Sequence, residues 1–201
     1  MSHLELAEIA KMLAGEPPFQ EACRHLAAAC PECGTRLWEV EALMKRFGHW
    51  SPEIAVQEGL EADALFAGLL AAGQGYAEWR VEVEQREELH TWGIAWLALG
   101  RTRELFAERQ APGVETRDLA LLAGLIAENL GEPYHTEWVS DLKALSYALA
   151  AAAEPPATGS VEARLRHTVA AVTALEQGTG EENVAQEVWG LLARVLREEA
   201  A

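Results

Sequence analysis

The three cysteines of this 201-residue chain, Cys23, Cys30 and Cys33, all fall in one short stretch near its start. Cys30-Pro-Glu-Cys33 puts two residues between two thiols, the spacing at which a turn offers both sulfurs to one zinc ion. His25 lies just upstream, on a predicted helix that ends at the Cys30-Pro31 pair, within reach of the same point. Zinc takes four nitrogen or sulfur ligands at tetrahedral corners, so one more is required, and His3 and Cys23 are the candidates. Cys23 precedes His25 by two residues, about 200° around a helix, so both face one ion only where the helix frays. Ligand geometry therefore favours His3 over Cys23, which reads better as a small core residue. A closed set of His3, His25, Cys30 and Cys33 leaves no open position, so the expected Zn2+ is structural.

Helices must carry these ligands. From His3 to about Ala14, the residues Leu4, Leu6, Ile9, Ala10 and Leu13 make a helical apolar stripe, which Gly15-Glu-Pro-Pro18 breaks. A second helix is predicted over about Phe19 to Ala29. A third, over about Thr35 to Phe47, carries Leu37, Val40, Leu43, Met44 and Phe47 on one side. Three short helices are too small a unit to hold together without a staple, and a metal ion supplies one.

Gly48-His-Trp-Ser-Pro52 marks a boundary, with Ser51 and Pro52 as a helix start. The division expected is therefore a zinc-binding unit over 1–50 and a helical domain over 51–201. Helices follow near Pro52 to Ala72 and from Tyr76 to Gln110, separated by Gly73-Gln-Gly75; the second is one long helix or two broken near Gly93 or Gly100. Trp79, Trp92, Trp96 and Phe106 are core candidates. Beyond Ala111-Pro-Gly113 four helices of similar length are predicted, at about Glu115–Leu130, Thr136–Glu154, Val161–Gln177 and Glu181–Glu199. In the third of these Val161, Leu165, Val169, Val172 and Leu175 line one face, and in the fourth Val184, Val188, Leu191 and Val195 do so. Thr179 with Glu182 has the spacing of a capping box. The fold class expected is all-α: a small zinc-binding three-helix unit followed by antiparallel helical hairpins.

The N-terminal pattern, His3-Leu-Glu-Leu-Ala-Glu-Ile-Ala-Lys-Met-Leu-Ala-Gly-Glu followed by Arg24-His-Leu-Ala-Ala-Ala-Cys-Pro-Glu-Cys, resembles the zinc-finger domain of zinc-containing anti-sigma factors over residues 3 to about 47. That family carries an N-terminal His or Cys and then His-x3-Cys-x2-Cys. The resemblance implies a zinc-bound three-helix unit with His3, His25, Cys30 and Cys33 as ligands. It also implies a sigma factor as partner, sequestered from RNA polymerase. Here four residues rather than three separate His25 from Cys30, and a helix ending at Ala28 or Ala29 absorbs the extra one. The later helices resemble a tetratricopeptide-like array, in their length and in the small residues Ala127, Ala144, Ala148 and Ala171 where neighbours would approach closely. An irregular helical bundle fits them equally.

A formal charge of −16 argues against direct nucleic-acid binding, which needs a cationic face. Residues 51–201 hold most of the excess acid, with 25 Asp and Glu against 11 Lys and Arg. No signal peptide or membrane-length apolar run is read in the sequence, so a reducing cytoplasmic setting and metal-bound thiols are expected. His3-Leu-Glu5 with Cys30-Pro-Glu-Cys33 also mimics the His-x-Glu and Cys-x2-Cys signature of zinc deaminases, but that chemistry needs a strand before the His and a mixed sheet. His49, His90, His135 and His167 are scattered, without the pairing of a second metal site. No nucleophile, base or phosphate loop can be singled out, so the expected function is non-enzymatic: a regulator that binds a protein partner. The alternative is a helical scaffold or adaptor whose zinc unit is a terminal cap.

Overall fold

The computed structural model describes residues 3–4, 6–13, 30–47, 52–108, 113–155 and 160–199. The described elements are all helical, and the chain is all-α as its composition and periodicity predict. They are α1 (Leu6–Leu13), α2 (Pro31–Phe47), α3 (Pro52–Ala72), α4 (Tyr76–Gln85), a 3-10 turn (Glu87–Leu89), α5 (Trp92–Glu108), α6 (Val114–Glu128), α7 (Thr136–Ala153), α8 (Ser160–Glu176) and α9 (Glu182–Glu199). The predicted second helix (Phe19 to Ala29), with Cys23 and His25, lies outside the described residues, as does the boundary Gly48 to Ser51. No helix among the described residues is long and apolar enough to cross a membrane.

The chain divides into two compact units, Met1–Glu61 with Glu132–His135, and Ala62–Gly131 with Thr136–Ala201. In the first, α1 packs on α2, and Ile9, Met12, Cys33 and Val40 are buried. The Tyr134 hydroxyl donates to Glu58 in the same unit.

In the second unit the helices from α5 to α9 each pack on their sequence neighbours, and α4 on α6, α5 on α7 and α7 on α9 pair one helix further along, the contact pattern of stacked hairpins. Helix α7 is central, touched by α5, α6, α8 and α9. It can be central because it is mostly alanine and serine on its inner faces: Ala144, Ala148, Ala150, Ala151 and Ala153 are fully buried, and neighbouring backbones approach closely over such small side chains. Ala127 and Ala171 are fully buried too.

Three local expectations are corrected. The chain from Tyr76 to Gln110 breaks at Arg86–Thr91, not at Gly93 or Gly100. Thr91 Oγ1 accepts the Ile94 N–H at 3.4 Å and starts α5, while the His90 ring nitrogen Nε2 pairs with the Val83 carbonyl at 2.8 Å and stops α4. Gly93 is buried inside α5. In α8 most of the predicted apolar face does not pack: Val161, Leu165 and Val169 are 59%, 62% and 57% exposed, and only Val172 and Leu175, nearer its end, are half-buried. The buried side is instead Arg164, Ala171 and Ala174, because the small residues let α8 close on α7 and Arg164 Nη2 reaches the Glu154 carbonyl just beyond the C-terminus of α7, at 2.8 Å. Finally, Thr179 does not close a capping box with Glu182. Helix α9 begins at Glu182, and Thr179 Oγ1 accepts the Glu181 N–H while its own hydroxyl and N–H donate to Asp141 on α7.

The break before α4 falls where expected and needs glycine. A Cβ on Gly73 would lie 2.5 Å from the Glu78 Cβ. That closeness lets Gln74 N–H reach Glu78 Oε2 and lets Trp79 Nε1 donate to the Gly73 carbonyl at 3.1 Å.

Candidate metal centre

Cys30-Pro-Glu-Cys33 is not a free turn between two helices. It opens α2, with Cys30 just before the helix, Pro31 as its first residue and Cys33 in its first turn. Proline suits that position, since its ring sets φ for the helix and the N–H it lacks would have no helical partner. The Gly34 N–H bonds the Cys30 carbonyl at 3.0 Å, closing the turn that puts both thiols on one side. The positive end of the helix dipole then lies beside two sulfurs.

The segment His3–Leu4 runs alongside. His3 Nδ1 lies 3.4 Å from Cys30 Sγ and 3.9 Å from Cys33 Sγ, and all three ligand atoms fall within 4.8 Å of one another. A tetrahedral zinc at ordinary bond lengths would hold sulfur and nitrogen about 3.6 Å apart and two sulfurs about 3.8 Å apart. The donor set and its spacing therefore fit a metal ion.

Cys33 is fully buried and Cys30 partly so. Burial pushes the Cys33 thiol above its ordinary value, and the neighbouring Cys30 adds to this, while the Leu4 N–H at 3.3 Å and the Arg36 charge oppose it. A cation at the site would oppose that effect, since metal binding displaces the thiol proton.

Of the residues expected to bind metal, His3, Cys30 and Cys33 come together; His25 lies outside the described residues, and so does Cys23, the alternative to His3. Among the described residues no other group of three or more His, Cys, Asp or Glu gathers in this way. The sequence reading missed two residues beside the site. Glu32, between the cysteines, sits 2.9 Å from His3 Nε2, and Arg36, one turn on, bridges Glu32 and the Leu4 carbonyl. The spacing of Glu32 and Arg36 was a signal of their pairing, but nothing in the sequence tied either to His3. No family profile, curated protein or solved structure matches the chain.

Proposed function

We propose that this chain is a non-enzymatic regulator that binds another protein through a unit stapled by structural zinc. The observation that carries the reading is the triangle of His3, Cys30 and Cys33, whose soft donors and spacing suit zinc. His25 is the fourth ligand in this reading, and a closed site of two histidines and two cysteines would hold α1 against α2. Cobalt substitution tests the ligand set: tetrahedral d–d bands with charge transfer from two thiolates support it, and an octahedral spectrum without charge transfer contradicts it.

The partner in this reading is a protein, with a sigma factor as the candidate that the N-terminal resemblance suggests. Trp38 on α2 supports a docking role for this unit, since it is 76% exposed and isolated large aromatics of that kind are frequent anchors of interfaces. The acidic chain suits a basic protein surface rather than nucleic acid. Co-purification from cells, with Trp38→Ala as the control that loses the partner, is the test. Recovery of no sigma factor would remove that identification.

A second reading, a scaffold working through its helical array, is favoured by the exposed stripe Val161, Leu165 and Val169 on α8. Because these side chains are exposed, replacing them with Asp should keep the fold, which circular dichroism checks, and it separates the two readings. Loss of the partner in that variant, with Trp38→Ala unaffected, selects the array. The described elements are helices, whereas the zinc deaminase reading needs a mixed sheet.

A further inference from the structure

A ring of hydrogen bonds closes behind the metal-binding triangle. His3 Nε2, the ring nitrogen on the far side from the sulfurs, lies 2.9 Å from Glu32 Oε2. The other carboxylate oxygen, Oε1, accepts from Arg36 Nη2 at 3.1 Å. Arg36 Nη1 donates to the Leu4 carbonyl, and the Leu4 N–H donates to Cys33 Sγ at 3.3 Å. Three of the links tie His3 or Leu4 to the first two turns of α2, the fourth joins Glu32 to Arg36 within α2, and the ring begins and ends on two of the three ligands.

We infer that Glu32, held by Arg36, is the positioning residue of this site: it keeps the proton on His3 Nε2 and so presents Nδ1 to the metal. The inference rests on the metal reading above. A neutral imidazole has one donor and one acceptor nitrogen, and a carboxylate at Nε2 can only accept, so the proton stays there. The lone pair is then on Nδ1, the atom that lies 3.4 Å and 3.9 Å from the two sulfurs. As an ordinary surface ion pair the contact would add little, because both side chains are about half exposed. Its effect is directional. Arg36 serves it twice, by fixing the carboxylate and by holding the Leu4 backbone whose N–H steadies Cys33.

The test is zinc binding by the full chain, measured by competition with a chromophoric chelator, together with nitrogen-15 NMR of the histidine rings. The wild type should bind one zinc with His3 Nδ1 coordinated and Nε2 protonated. Glu32→Ala should keep the stoichiometry, bind about 10–100-fold more weakly and exchange its Nε2 proton faster. Glu32→Gln, which keeps an acceptor oxygen and the side-chain shape, should fall between, and it carries the test if the alanine variant fails to fold. Wild-type affinity in both variants, or coordination through Nε2, overturns the inference while leaving the metal site standing. A wild-type chain that takes up no zinc overturns the metal reading itself, before any substitution at Glu32 is made.

Discussion

Gly178→Ala should be among the most damaging single-atom-scale changes in the second unit. Gly178 lies in the turn between α8 and α9, and a Cβ there would stand 1.9 Å from Asp141 Oδ1. The turn or the carboxylate must withdraw by about 1.5 Å to reach an ordinary contact. Asp141 is buried on α7 and accepts the Thr179 N–H at 3.2 Å and the Thr179 hydroxyl at 2.5 Å, and neither bond survives such a shift. Hydrogen bonds to a charged group contribute about 1.5–3 kcal/mol each, and water entering the opened turn restores part, so the net cost should be about 3 kcal/mol. Urea unfolding of the full chain followed by circular dichroism reads it as a lower midpoint at unchanged slope. A double-mutant cycle isolates the cause: in an Asp141→Ala background, with the obstructing carboxylate gone, Gly178→Ala should add less than about 1 kcal/mol. An effect below about 0.5 kcal/mol in the wild-type background, or an equal cost in both, would refute the reasoning.

Two further outcomes follow from the same core. Leu122→Ala on α6 empties a fully buried site and should cost about 2–5 kcal/mol in the same urea assay, whereas a loss under about 1 kcal/mol would mean that the helices collapse into the cavity. Burial, with Arg166 and Arg117 nearby and Glu154 opposing, holds His167 below its ordinary value of 6.5. A lowered pKa stabilises the folded chain above pH 6.5 and withdraws that support as pH falls from 6.5 through the folded value, so wild type should lose stability on acidification over that window and His167→Gln should lose less.

Much of the helical layout was legible because punctuation residues sit where the chain turns. Pro52 starts α3, Gly73-Gln-Gly75 ends it, and Pro133 and Gly178 fall in later turns. The break at Arg86–Thr91 was not legible, since it contains neither glycine nor proline; Thr91 and His90 set it through contacts that exist only once α4 and α5 are folded. The exposed face of α8 was misread for a related reason. Periodicity marks an apolar stripe but does not weigh it against a face of Ala171 and Ala174, whose advantage is closeness to another alanine-rich helix. At the metal centre the ligand types and the two-residue spacing gave Cys30 and Cys33, and ligand counting brought in His3. Glu32 and Arg36 escaped because their partners, His3 and the Leu4 backbone, are about thirty residues away in sequence.

The most direct measurement of the central claim is native mass spectrometry of the freshly isolated chain, followed by the same measurement and circular dichroism after chelation. One zinc ion per chain is expected, with mass and helicity both falling when a strong chelator removes it. A metal-free chain whose residues 3–47 are nevertheless protected from amide exchange would contradict the account.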